Sequence, residues 1–298
     1  MNVLPLNGYC DAIHLNKPFN RPQVNTLDKQ WLTDILYEYL FDLLKCEEIA
    51  QNEKWLRLNK RQSIDAIITI LEPNVLSGFI TETIGQLLEL EKIERQITHA
   101  DTLAQAPFLS IGDTKLILWK GDITTLECDA IVNAANNQLL GCFKPFHNCI
   151  DNAIHNRAGV QLRADCNTII RLQGNPEPTG QAKVTRAYHL PSRYVIHSVG
   201  AIATHHVSPR DKWHLTNCYN SILSLATQKA DIKTLAFCSI STGVFGFPIE
   251  QAAPIAIDTV TRYLDEHQNI FKVIVFNVFN GHDYLIYQAA LEDYVCHH

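Results

Sequence analysis

The sequence predicts an α/β fold, a three-layer α/β/α sandwich preceded by a small all-helical N-terminal region. Three observations carry this prediction. Up to about residue 100, apolar residues recur at helical spacing. Pro107, Gly112 and Asp113 then mark a change of texture, which places a boundary near residues 100–112. Beyond it, short apolar runs alternate with amphipathic ones, the pattern of strands and helices laid down in turn. The chain is therefore divided into a helical region, 1–105, and an α/β domain, 106–298.

In the first region, residues 28–48 place Trp31, Leu32, Ile35, Leu36, Tyr39, Leu40 and Leu43 on one helical stripe. Gln62 to Leu71 gives a second helix, stopped by Glu72-Pro73-Asn74. A third spans Ser77 to Ile97, with Phe79, Ile80, Ile84, Leu87, Leu88 and Leu90. No motif in this region bears chemistry, so packing is its default role; shaping substrate access or binding a partner are the alternatives. In the second region the strand candidates are Lys115–Trp119, Ala130–Asn133, Val184–His189, Tyr194–Val199, Thr234–Ile240 and Lys272–Phe279. Helices are expected at about 148–158, 160–170, 211–229, 250–268 and 283–295. No internal repeat or low-complexity stretch interrupts them.

Bulk properties narrow the function. With 298 residues, 46% hydrophobic and 19% charged, the chain can bury a sizeable core. A net charge of -6 and a pI near 6.1 argue against a broad nucleic-acid surface. No run reaches the apolar length of a membrane span, and Met-Asn-Val-Leu-Pro-Leu-Asn does not resemble a secretory leader. Nine scattered cysteines, among them Cys10, Cys46, Cys128 and Cys238, do not form a small disulfide framework. A reducing, cytoplasmic location is expected.

The densest chemistry lies between Leu139 and Asn152, where Cys142, His147 and Cys149 fall within eight residues. Thiolates and imidazole at that spacing suit a transition metal, zinc above all. Buried thiols and a satisfied structural histidine account for the same composition, and composition alone leaves both open. Gly141 and Pro145 favour a turning loop that can aim three side chains at one point. Three ligands without a fourth from the protein would leave a coordination position for substrate.

Three further segments accompany this loop. Gly121-Asp122-Ile123-Thr124 follows a strand, so Asp122 falls at the carboxyl edge of the sheet, where open α/β folds bind ligands; a helix-cap or turn role is the alternative. The run Asp129 to Asn136 ends in amides, Asn133 and Asn136, whose paired donors and acceptors suit vicinal hydroxyls, although Asn136-Asn137 is also ordinary turn chemistry. Ser239 to Pro248 joins a strand to a helix, and its small residues Ser241, Thr242 and Gly243 let backbone amides approach an anion without a lysine. Phe245 could wall off a sugar or simply pack in the core.

In this order the four segments resemble the macrodomain, the ADP-ribose-binding fold, over roughly residues 108–296. Gly-Cys-Phe-x-Pro-x-His-x-Cys-Ile-Asp-Asn further resembles its zinc-dependent branch, whose members hydrolyse ADP-ribosyl groups from proteins. The resemblance implies a mixed central sheet and zinc on Cys142, His147 and Cys149. It also implies adenine recognition by Asp122 with backbone contacts from Ile123, and a diphosphate cradle at Ser241, Thr242, Gly243, Val244 and Phe245. Asn136 is expected at the distal ribose, with Asn137 as the neighbouring candidate. Ile150 and Asp151 would line the nucleotide pocket, with Asn136 and Asp151 as the catalytic pair. His155, one turn beyond Asp151, is either a supporting partner or a structural histidine. The expected activity is hydrolysis of mono-ADP-ribose from protein, through acidic side-chain linkages, with release of ADP-ribose; a non-catalytic ADP-ribose reader is the alternative.

Overall fold

The computed structural model describes residues 3–24, 26–45, 58–203 and 206–298. After a short 3-10 turn at Leu6–Gly8 come α1 (Lys29–Lys45), α2 (Lys60–Ile70) and α3 (Gly78–Ile93). The α/β part then runs β1 (Thr98–His99), α4 (Ala100–Leu103), β2 (Leu109–Ile111), β3 (Thr114–Lys120), β4 (Leu126–Glu127), β5 (Ala130–Ala135), α5 (Ile150–Ala158) and α6 (Val160–Gln173). It continues with β6 (Ala182–Arg186), β7 (Tyr194–Val199), α7 (Pro209–Gln228), β8 (Thr234–Phe237), α8 (Ile249–Glu266), β9 (Val273–Val278) and α9 (Gly281–His297).

Seven strands form the main sheet in the order β2-β3-β9-β8-β5-β7-β6. The five inner strands are parallel, while β2 and β6 pair antiparallel at the edges, so the sheet is mixed as expected. β7 and β9 are buried along their whole length, which is why both read as near-continuous apolar runs. Helices α7, α8 and α9 pack side by side as one layer, and α5 with α6 forms another.

Each predicted strand is present, Tyr194–Val199 with the expected ends and the others with shifted ones. Val184–His189 stops at Arg186, because the chain turns at Ala187–Leu190, where the Leu190 amide donates to the Ala187 carbonyl and Tyr188 adopts φ +52°. Thr234–Ile240 stops at Phe237, where the chain leaves the sheet to form the loop before α8. The edge strand β2 and the short pair β1–β4 were not anticipated; two or three residues carry too little periodicity to announce a strand.

The helical unit has its own core of Leu36, Leu40, Ile64, Ile67, Ile80, Ile84, Leu87 and neighbours, on which Val160 of α6 also packs. Asn59 and Gln62 close a capping box on α2, and Ser77 caps α3. The stripe on α1 is narrower than its composition suggests: Leu32, Leu36 and Leu40 are buried, whereas Trp31, Tyr39 and Leu43 are exposed. Phe79 is exposed as well. The third helix ends at Ile93 rather than Ile97, and the last residues of the 28–48 prediction, from Cys46, lie outside the described residues. Tyr9, Ile13 and Leu15 belong to the main α/β core, and Tyr9 Oη accepts from the Val184 amide.

α3 docks on the α/β part through a charged cluster. Gly85 lets it approach closely, since a Cβ there would stand 2.8 Å from His189 Cε1. Glu89 accepts from His189 Nδ1 (2.8 Å) and Arg21 Nη1 (2.9 Å) and pairs with Lys92, while Arg21 Nη2 also donates to the Leu190 carbonyl (2.6 Å). Burial would raise the Glu89 carboxyl, but the bonds from His189 and Lys92 and the charge of Arg21 overcome it and hold it at about 2. A carboxyl depressed in the folded state stabilises fully above its unfolded value, and that stability drains away as pH falls through the folded one. Glu89→Gln is therefore expected to cost on the order of 2 kcal/mol at pH 7. The difference from wild type should shrink between about pH 4.5 and 2, as urea unfolding of both proteins across that range will measure.

Candidate active site

The inner parallel strands all end at one edge of the sheet, and the segments that follow β3, β5, β8 and β9 enclose a cleft of about 770 Å³. This is the carboxyl edge at which open α/β sheets bind ligands. Of the residues expected from sequence, Asp122, Ile123, Asn136, Cys142, His147, Cys149, Ile150, Asp151 and the run Ser241 to Phe245 all line it. Asn137 does not. Asn136 Oδ1 accepts from the Gln138 amide (2.9 Å) in a side-chain turn that swings Asn137 out to solvent, where its carbonyl accepts from Glu177 N (2.8 Å). Asn136 is thus the amide that faces the cleft.

Asp122 takes the cap role and stands at the carboxyl edge of the sheet. It caps the 3-10 turn Ile123–Thr125, accepting at Oδ1 from Thr124 N (2.9 Å) and Thr124 Oγ1 (2.7 Å), and it remains exposed on the cleft wall. On the opposite side, Ser241 takes φ +68°. The loop folds on itself through Phe247 N to Ser241 O and Gly246 N to Gly243 O, both 3.0 Å. Ser241 Oγ and Ser239 Oγ are buried without partners. Gly243 faces open space, and Val244 stands exposed at the rim.

Asp151 is the most constrained carboxylate of the cleft. Lying at the first turn of α5 and only 5% exposed, it accepts at Oδ1 from Asn133 Nδ2 (2.8 Å). Asn136 Nδ2 approaches Oδ2 at 3.5 Å while donating to the Gly141 carbonyl at 2.7 Å. Burial pushes the Asp151 carboxyl up to about 6, against the Asn133 bond and the Arg163 charge. His155 Nε2 lies 3.5 Å from Oδ1, with the ring buried. Neither ring nitrogen has a hydrogen-bond partner, burial keeps the imidazole neutral, and His155 does not line the cleft.

Cys142, His147 and Cys149 converge, with donor atoms all within 4.8 Å of one another. Between Cys142 and Cys149 the two residues at positive φ are both aromatic, Phe143 at +50° and Phe146 at +60°. His147 Nδ1 is buried with no hydrogen-bond partner, which an ion would supply. Burial and the neighbouring Cys142 raise the Cys149 thiol to about 12, since two thiols side by side resist ionisation without a cation between them. The donor set, two sulfurs and one imidazole nitrogen, fits zinc.

A second cluster, His155, Cys166 and His197, is buried beneath the cleft. His197 Nδ1 accepts from Asn133 Nδ2 (3.1 Å), so Nε2 carries the proton and donates to Thr185 Oγ1 (3.0 Å). That leaves His197 no free lone pair for a metal. Several residues here had no signal of their own in the sequence. Asn277, Phe279, Asn280 and Asp283 close the β9 side of the cleft. They stand at or just beyond the carboxyl end of an anticipated strand, so the rule that ligands sit at strand carboxyl ends was the available signal. Asn152, whose Nδ2 donates to the carbonyls of Lys144 (3.3 Å) and His147 (3.2 Å), staples the metal loop.

Comparison with known proteins agrees with this geometry. Residues 132–256 match the Macro domain family. A protein-ADP-ribose hydrolase of Staphylococcus aureus (strain MRSA252) is 52% identical over 180 residues, covering 60% of this chain and 66% of that protein, just under two thirds of its length. One from Treponema medium is 49% identical over 185 residues, 62% of this chain and 70% of that protein. The solved structure of the Oceanobacillus iheyensis macrodomain with ADP superposes with a TM-score of 0.58 at 38% identity, covering 64% of this chain and 96% of that one. On its fold, its matched residues and these relatives, the chain belongs to the macrodomain family.

Proposed function

We propose that this chain is a zinc-dependent protein-ADP-ribose hydrolase, removing mono-ADP-ribose from acidic side chains of modified proteins and releasing ADP-ribose. The observation that carries the reading is the convergence of Cys142, His147 and Cys149 on the cleft wall beside Asp151 and Asn136. The names of the staphylococcal and treponemal relatives, and the ADP in the Oceanobacillus structure, support it. The chain works in the cytoplasm, a reading supported by the free thiols of all eight described cysteines. Among the described residues no helix is long and apolar enough to cross a membrane.

In this reading Asp122 accepts from the adenine amino group and Phe279, exposed at the end of β9, offers the base an aromatic face. The loop from Ser241 to Phe245 holds the diphosphate through backbone N–H groups and the unpartnered Ser241 hydroxyl. Asn136 keeps a lone pair on Oδ1 beyond its turn bond, enough to accept from a hydroxyl of the distal ribose. Cys142, His147 and Cys149 would hold the zinc. When bound, it supplies a Lewis acid at the scissile end of the cleft. Three carboxylates line the cleft, Asp122, Asp151 and Asp283, and Asp151 alone is buried next to Cys149 and Asn136. With Oδ1 fixed by Asn133, it presents its remaining acceptor capacity to the ribose or to the attacking water.

The decisive measurement pairs metal analysis with release of ADP-ribose from a modified protein. Wild type should carry about one zinc per chain. Cys142→Ala and His147→Ala should lose it and fall at least ~100-fold in turnover, while binding ADP-ribose within a few-fold of wild type. Undiminished turnover in the metal-free variants would sink the zinc role, and tight ADP-ribose binding without turnover in the zinc-loaded wild type would make the chain a reader. Asp122→Ala should raise KM about tenfold, the loss expected for one charge-assisted hydrogen bond, and leave kcat nearly unchanged. A fall in kcat with unaltered KM would remove Asp122 from adenine recognition.

A further inference from the structure

The helical unit had no legible chemistry, yet its second helix ends directly against the residues that support the metal loop. Arg163 of α6 is 5% exposed, and its Nη1 donates to the carbonyls of Ile68 (2.8 Å) and Leu71 (2.6 Å) at the C-terminal end of α2. Those are carbonyls a helix end leaves without intrahelical partners, at the end where a cation is favoured. The other side of the same guanidinium meets the loop. Its carbon lies 4.6 Å from the centre of the Phe143 ring, between the ligands Cys142 and His147. It also underlies Gly141, at φ +85°, where a Cβ would stand 3.3 Å from Arg163 Nη2 and 3.3 Å from the His155 ring.

A second contact runs in parallel. Asn156 Nδ2 donates to Thr69 Oγ1 of α2 (3.1 Å), and Asn152 Oδ1 lies 3.4 Å from the same hydroxyl. The amide of Asn152 in turn holds the carbonyls of Lys144 and His147. Both arms of the metal loop therefore rest on side chains that α2 touches.

We infer that Arg163 is a positioning residue for the metal loop, pinned by the C-terminal carbonyls of α2 and pressing on Phe143, so that the helical unit sets how tightly the loop holds its ion. The inference rests on the zinc reading above. Phe143 bends the chain at positive φ immediately after Cys142, and a loop turned at a non-glycine residue keeps that conformation only while its surroundings fix it. Arg163 supplies that fixation through a planar face that lysine lacks. Residues that orient metal ligands from behind typically change affinity by about 10–100-fold when altered.

The test uses the full chain and four variants: Arg163→Lys, Phe143→Leu, Phe143→Tyr and the double variant Arg163→Lys/Phe143→Leu. Zinc affinity is measured by competition with a chromophoric chelator, ADP-ribose affinity on metal-free protein by calorimetry, and KM and kcat on modified protein. Arg163→Lys and Phe143→Leu are expected to weaken zinc binding by about 10–100-fold, and the double variant to be no weaker than the weaker single one, since both break one contact. Phe143→Tyr, which keeps the ring, should stay within about threefold of wild type. ADP-ribose affinity of the metal-free protein should not move, and kcat should fall with KM held. Wild-type zinc affinity in Phe143→Leu overturns the inference, as does equal weakness in Phe143→Tyr; Phe143→Leu decides the matter even where Arg163→Lys lowers the melting temperature. If wild type binds zinc and turns over while the variants match it, only this inference fails. If wild type holds no zinc, the functional reading fails with it.

Discussion

Asn133 sits in the middle of the central strand β5 with its side chain wholly buried, an expensive place for an amide unless its donors are used. They are used on two elements at once, Asp151 on α5 and His197 on β7. The bond to Asp151 spans the whole metal loop, because Asn133 precedes it and Asp151 follows its last cysteine. It fixes the distance between the two ends of the loop, and Asn136 then draws Gly141 inward from one side while Asn152 holds Lys144 and His147 from the other. The three ligand atoms meet as a consequence of this closure. Released from Asn133, Asp151 would be a buried carboxylate without its strongest donor, and the first turn of α5 would lose its anchor to the sheet.

The docking of the helical unit follows from the same economy of buried polar groups. Glu89 on α3 gathers His189, Arg21 and Lys92, and Arg61 on α2 bridges Asp65 and Glu91. Arg157 of α5 reaches Glu91 as well, at 3.7 Å. Partnered charges of this kind contribute little net stability but make separation costly, because parting the units would strand them. A small helical core that would be marginal alone is thereby held in one orientation on α5 and α6. That orientation is what gives α2 its contacts with Arg163 and Asn156.

Much of the α/β part was legible because its inner strands are buried on both faces, which writes them as apolar runs between polar turns. Strand ends were less so: at the edge strand β6, Tyr188 takes a left-handed conformation that nothing in Val184–His189 announces. The convergence of Cys142, His147 and Cys149 was legible because these residues are close in sequence and chemically rare in combination. By contrast Arg163, Asn152 and Asn133 act across gaps of many residues, and an arginine, or an asparagine in a helix or strand, has too many ordinary roles to betray one. The same holds for the first segment, whose Tyr9, Ile13 and Leu15 look like loop residues until the main core closes over them. Asn136 and Asn137 could be told apart only by the turn between them.

The charge of the chain raises a last question, since a protein of net charge -6 is proposed to hold a dianionic diphosphate. Lys144 is the one lysine or arginine among the described residues lining the cleft, and it is exposed. The cradle must then work through dipoles, which concentrate positive potential at a point without adding net charge. Ser241 at positive φ and the open face at Gly243 allow backbone to approach a phosphate where a larger side chain would stand in the way. Dipoles fall off faster with distance than charges do, so such a cradle discriminates by shape and leaves the long-range field of the protein negative. In the proposed reading, a compact diphosphate between Ser241 and Phe245 is not required to overcome that field alone. The proposed contacts of adenine with Asp122 and of ribose with Asn136 would secure its two ends.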